Sequence, residues 1–186
     1  MASRFSEKRG WVRLKERPRG PGGRGLCRWC GQEVPKGRLT FCGPGCVDQH
    51  RIRTSPAYLR DRVFERDRGI CALCGLDTMA LREAIRYVRD LLSRIGHLGI
   101  FYEFLEALEK KSGIRVPWQG FGCESLWQAD HILPVAEGGG ACGLENIRTL
   151  CLGCHKTETA LLRSRLKWKR RAANAVPLLC PAHSQA

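Results

Sequence analysis

The sequence predicts an α+β chain whose short sheet and helices are stapled by two four-cysteine metal sites. Three observations predict it. Cysteines fall in pairs at metal-ligand spacing, apolar residues recur at helical spacing in several stretches, and two short runs of strand character flank a glycine loop. The chain has 186 residues, enough for one ordinary domain or two small modules with tails. Its eleven cysteines are not preceded by a signal segment, since Met1 to Lys15 is basic and polar. No stretch approaches the roughly 20 apolar residues of a membrane span. The expectation is an intracellular protein with reduced thiols and no membrane association, where paired cysteines usually mean zinc.

The charge adds a partner. The net charge is +14, and it sits at the ends. Residues 1–25 hold eight Lys/Arg against two acids, and residues 161–186 hold six Lys/Arg and no acid. Basic ends around a near-neutral middle suit a nucleic-acid binder.

The elements follow in order. Residues 1–25, rich in Gly, Pro and Arg, read as a flexible basic arm. Residues 26–54 form a small four-cysteine zinc module. Residues 55–162 form the main domain, and 163–186 a basic tail continuing from its last helix. Ser55 caps a helix over 55–68, with Pro56 in its first turn and Tyr58, Leu59, Val63 and Phe64 on one face. Residues at about 79–112 read as a helical insertion of two amphipathic helices broken near Gly96 and Gly99. Leu81, Ile85, Val88, Leu91 and Leu92 line the first; Phe101, Phe104, Leu105 and Leu108 line the second. A strand over 126–132, a glycine loop at Gly138–Gly140, a second strand over 147–150 and a helix over 152–170 complete the domain.

Cys71-x2-Cys74 and Cys151-x2-Cys154 are two zinc half-sites, because a Cys-x2-Cys turn presents two thiolates about one tetrahedral edge apart. Cys27-x2-Cys30-x11-Cys42-x3-Cys46 makes a second structural zinc site, with His50 one helical turn beyond as a spare ligand. A module this small has little core, so zinc supplies much of its folding free energy. Cys123, Cys142 and Cys180 have no partner at ligand spacing and read as ordinary thiols.

The chemistry concentrates in Asp130-His131-Ile-Leu-Pro, the glycine loop, Leu144-Glu-Asn146-Ile, and Cys151-x2-Cys154-His155. Phosphodiester hydrolysis needs a base for water and a cation for the charge on phosphate and leaving oxygen. Histidine exchanges a proton near neutral pH, which suits His131 to the first task. Asp130 and His155 offer an oxygen and a nitrogen to a divalent ion. Neighbours on a strand point to opposite faces, so Asp130 and His131 share a site only at a strand end or twist. His155 follows Cys154 directly, so structural zinc anchors the helix that carries it. Trp127 reads as core.

This constellation resembles the HNH nuclease family with its ββα-metal core, over roughly 57–75 and 126–160. The resemblance implies His131 as general base, Asp130 and His155 as ligands of a catalytic Mg2+ or Mn2+, and Asn146 as the residue that fixes the loop and orients the base. A closer likeness takes in Cys27 to Cys46, Phe41-Cys42, Arg51-Ile-Arg53 and Tyr58-Leu-Arg. These are similar to the C-terminal nuclease region of eukaryotic annealing helicases that remodel stalled forks, which cut branched DNA. The stretch holds no helicase motor and no Gly-x4-Gly-Lys-Ser/Thr loop. DNA is the expected partner, with Arg148, Lys156, Lys167, Lys169, Arg170 and Arg171 as its contacts; no protein partner is implied. The rival expectation is a non-catalytic zinc module that binds nucleic acid, sharing the cysteines and basic ends but with no use for Asp130, His131 and His155 together. A restriction or toxin-like nuclease keeps the chemistry and changes the role.

Overall fold

The computed structural model describes residues 17–116, 125–140 and 142–174. Ser55 does two jobs at the junction of its first helices. Its N–H closes α1 (Pro44–Thr54) on Arg51 O at 2.9 Å, and its hydroxyl accepts from Tyr58 N at 3.3 Å to cap α2 (Pro56–Asp67). Both helices carry proline in the first turn, where no intrahelical N–H is lost. The sequence reading had only a cysteine cluster at α1. The helix carries one cysteine, Cys46, and a single buried position, Ile52, too little to show an apolar face.

The insertion forms α3 (Thr78–Arg94), capped by the Asp77 carboxylate accepting from Met79 N and Ala80 N, and α4 (Leu98–Ser112). Gly96 takes φ +76 between them, a conformation L side chains rarely adopt. Ile85, Phe101 and Leu105 are buried together with Ile114, Val116, Leu126, Leu150, Cys71 and Cys151. Two expected core positions differ. Leu91 is 47% exposed and Phe104 40%, because a two-helix hairpin packed on one side buries a narrower stripe than its apolar pattern allows.

The sheet has two antiparallel strands, β1 (Trp127–His131) and β2 (Ile147–Cys151), pairing Trp127 with Cys151, Asp130 with Arg148 and His131 with Ile147. A second buried cluster of Val63, Trp127 and Ile147 joins α2 to the sheet. Trp127 is 5% exposed and stacks on Phe64 at 6.0 Å, as core rather than surface. The end of α2 is bolted to β2: Arg66 donates to Leu144 O (2.7 Å) and Ile147 O (2.6 Å), while Asp67 Oδ2 accepts from the buried Thr149 hydroxyl at 2.8 Å. The Arg66 guanidinium holds the Asp67 carboxyl below its usual range.

The last helix, α5 (Leu152–Asn174), runs four residues past the expected end. Gly153 lets it start where it does. A Cβ there would collide with Ser112 O at the close of α4, so the insertion seats directly on the helix start. Of the expected arm over 1–25, residues 17–25 are tied to the module that follows: Arg17 donates to Leu26 O (2.7 Å) and Leu26 N to Pro18 O (3.0 Å); residues 1–16 lie outside the described residues. No helix among the described residues is long and apolar enough to cross a membrane.

Candidate active site and metal-binding groups

Asp130, His131 and His155 line one cleft between the β1 end and α5. His131 is the last residue of β1, and the chain turns away at Ile132, whose N–H donates to Asn146 O at 2.8 Å. Asp130 Oδ1 lies 4.0 Å from His155 Nε2. That spacing leaves an oxygen and a nitrogen donor facing one point, the kind of mixed set a divalent ion takes.

The other oxygen of Asp130 is already engaged. Arg148, directly across the strand pair, donates to Asp130 Oδ2 from Nε (3.3 Å) and Nη2 (3.2 Å), and Nη2 also reaches Glu158 Oε2 at 2.6 Å. Burial works against the Arg148 charge, but the bonds to Glu158 and Asp130 outweigh it and raise its pKa. With 18% of its side chain exposed and two carboxylates to satisfy, Arg148, expected as a nucleic-acid contact, is paired within the cleft wall.

Asn146 anchors the loop. Its Nδ2 donates to Leu133 O (3.0 Å) and Gly139 O (3.2 Å), and its Oδ1 accepts from Leu133 N (2.8 Å). Gly139 is buried under this amide, and a Cβ would lie 2.8 Å from Asn146 Nδ2 and deep inside the Leu133 carbonyl. The middle glycine of the loop is thus a close-approach residue. A second tie runs from Glu137, whose carboxylate accepts from Lys169 Nζ (2.8 Å) and Arg165 Nη2 (3.1 Å) of α5. Lys169 and Arg165 hold the Glu137 carboxyl below its usual range. Lys169, expected on nucleic acid, is therefore paired within the chain, whereas Lys156, Lys167, Arg170 and Arg171 are exposed on α5.

The two cysteine sets assemble as their spacing predicts. In each of Cys27/Cys30/Cys42/Cys46 and Cys71/Cys74/Cys151/Cys154 the four sulphurs lie within 4.8 Å of one another. The Cys74–Cys151 sulphur pair at 3.8 Å matches the edge of about 3.8 Å that a zinc tetrahedron with Zn–S near 2.3 Å requires, and the Cys30–Cys42 pair at 3.4 Å is somewhat shorter. Both groups can bind zinc. Burial pushes the Cys27 and Cys71 thiols up, yet backbone N–H donors, from Cys30, Trp29 and Cys42 at Cys27 and from Cys151, Cys74 and Leu73 at Cys71, outweigh it and bring each down to about 6. His50 stays outside the first set, edge-on to Phe41 at 5.1 Å. Cys142 packs against the Val63 cluster; Cys123 and Cys180 lie outside the described residues.

Sequence reasoning missed Glu158 and Glu137. Glu158 follows His155 by one helical turn, so its face was predictable; its partner across the sheet was not.

Residues 118–161 match the family model described as HNH endonuclease. This segment belongs to the HNH endonuclease family. The DNA annealing helicase and endonuclease ZRANB3 of Mus musculus, and likewise that of Homo sapiens, is 38% identical over 125 residues, or 64% of this chain. Those residues make up 11% of each relative, so the chain spans a small part of their length. The crystal structure of the human ZRANB3 HNH domain is 30% identical and aligns over 64% of this chain and 98% of its own, with TM-score 0.42. The HNH match encloses β1, β2 and the start of α5, and with them Asp130, His131, Asn146 and His155; Leu162 and Arg165 of the cleft lie beyond it.

Proposed function

We propose that the cleft is the centre of a metal-dependent HNH endonuclease that hydrolyses phosphodiester bonds in DNA. The observation that carries the reading is the convergence of Asp130 Oδ1 and His155 Nε2, 4.0 Å apart, in the cleft that His131 also lines. Asp130 and His155 would hold Mg2+ or Mn2+. Bound there, the ion supplies positive charge to the scissile phosphate and the departing 3′ oxygen. His131 takes a proton from a water in line with that bond; the water oxygen joins phosphorus, the P–O3′ bond breaks and the departing O3′ takes a proton from solvent, leaving 5′-phosphate and 3′-hydroxyl ends. Asn146 keeps the Leu133–Gly139 loop closed and so fixes where β1 releases His131. Arg148, pinned by Glu158, keeps Asp130 Oδ2 occupied and turns Oδ1 toward His155. The zinc set that includes Cys151 and Cys154 holds the start of α5, one residue before His155.

The similarity to the nuclease part of annealing helicases supports branched or fork-like DNA as the preferred form. Purified protein is incubated with plasmid, forked, duplex and single-stranded DNA, with Mg2+, with Mn2+ or without either. Metal-dependent cutting, faster on the fork than on matched duplex, is the expected result. Cutting equally fast on all forms would remove the fork preference. No cutting of any form would leave a non-catalytic zinc-binding module that binds nucleic acid.

A further inference from the structure

The N-terminal zinc module has its own cleft, remote in sequence from the HNH residues. Two short pairings build it: Arg19 bridges Gly25, and Leu26 bridges Glu33. One wall carries Arg17, Arg19 and Arg24. The other is the turn Pro35–Arg38, closed by Arg38 N on Pro35 O at 3.1 Å, which contributes Lys36 and Arg38. The hollow is about 400 Å³, and those five cations line it with no acid among its lining residues.

Among the described residues, none of the five forms an ion pair. Glu33 lies against Gly20 and Gly22, where its Oε1 accepts from the Gly22 N–H. Arg17 and Arg19 are held in place by backbone carbonyls: Arg17 by Leu26 O (2.7 Å), Arg19 by Gly23 O (2.6 Å). Two anchored guanidiniums and three exposed cations around one concavity concentrate positive potential, because a cleft with low-dielectric walls focuses its field. Like charges gathered this way repel one another unless a polyanion is the intended occupant.

We propose that this cleft is a second nucleic-acid site, which grips the phosphodiester backbone of a strand independently of the HNH cleft. It rests on the nucleic-acid reading above for the class of ligand only. The site recognises phosphates, so it is indifferent to base sequence, and each contact releases counterions.

The test removes the exposed cations and spares the anchored ones. Full-length Arg24→Ala/Lys36→Ala/Arg38→Ala is compared with parent and with Arg94→Ala/Lys110→Ala/Lys111→Ala, which loses the same charge from the helical insertion. Fluorescence anisotropy follows binding to a labelled 20-nucleotide DNA strand and its RNA counterpart over a salt series, without added Mg2+ or Mn2+. For the cleft variant we expect affinity about tenfold weaker near 0.15 M salt and a log–log salt slope shallower by about 2, from three lost contacts at ~0.7 each. The insertion variant should stay within about twofold of parent. Loss on the DNA strand, the RNA strand or both supports the site and identifies its source of phosphate. Unchanged affinity and slope on both strands, or equal loss in the two variants, overturns it. Zinc content and circular dichroism equal to parent exclude unfolding; if they change, Arg24→Gln/Lys36→Gln/Arg38→Gln carries the same test. Cleavage by the parent is scored separately. Loss of binding in the cleft variant beside an inactive parent would leave this inference standing and sink the nuclease reading.

Discussion

The two four-cysteine groups have the same ligands and opposite surroundings. Around Cys71, Cys74, Cys151 and Cys154 lies an apolar cluster drawn from α3, α4 and β2, with Ile114, Val116 and Leu126. Around Cys27, Cys30, Cys42 and Cys46 the buried apolar residues are few: Val34, Ile52 and Cys27 itself. One metal site reinforces a core, and the other stands in for one. The difference also sets what each controls. The core site holds the strand–helix junction that delivers His155, whereas the N-terminal site holds a basic hollow.

The largest effects come from breaking each site in turn. Cys42→Ser should unfold residues 26–54, release one of two zinc ions per chain and expose the module to proteolysis, because binding free energies of about 10–16 kcal/mol exceed what so small a core supplies. DNA cleavage should survive. Cys151→Ser should release the other zinc and abolish cleavage, since a buried ligand at the head of α5 is lost. Elemental analysis, limited proteolysis and a cleavage assay read all of this. Cleavage lost in Cys42→Ser would join the two regions into one functional unit and end the comparison.

Next in size is the loop latch. Gly139→Ala forces a methyl against the Leu133 carbonyl and the Asn146 amide. It should reduce cleavage at least ~10-fold, since misplacing a reacting group by about 1 Å costs up to ~10²-fold. Asn146→Ala should behave alike, and both should keep two zinc ions. A Gly139→Ala protein with parental rate would show that the latch does not govern His131.

The smallest effect is the bolt between α2 and β2. Asp67→Ala leaves the buried Thr149 hydroxyl unpaired and should cost about 1–3 kcal/mol, lowering the core's melting temperature without moving that of the N-terminal module. The pH dependence has a definite sign. The folded pKa of Asp67 is depressed, so its contribution is full above its unfolded value near 3.9 and fades as pH falls below that. Parent and variant should therefore converge in stability in acid.

How much of this was legible in the sequence follows from how local each feature is. Cysteine spacing, the Ser55 cap and the order Asp130, His131, Asn146, His155 are all carried by short stretches of chain. The ties that tune the cleft join positions far apart: Arg148 to Glu158 across the sheet–helix junction, Glu137 to Arg165 and Lys169 along α5. Charge type gave those residues a plausible partner in solvent or DNA, and only packing assigns them one another. Leu91 and Phe104 make the same point for apolar residues, since periodicity tells which face is apolar but not how wide the contact is.

The most direct measurement is plasmid nicking by His131→Ala beside parent, at saturating DNA and Mg2+ or Mn2+. This substitution leaves both cysteine sets, the basic hollow, Asp130 and His155 intact. With zinc content, circular dichroism and DNA affinity equal to parent, the variant should cut at least ~10²-fold more slowly, the scale of a positioned base. A well-folded His131→Ala protein that nicks at the parental rate would contradict the account.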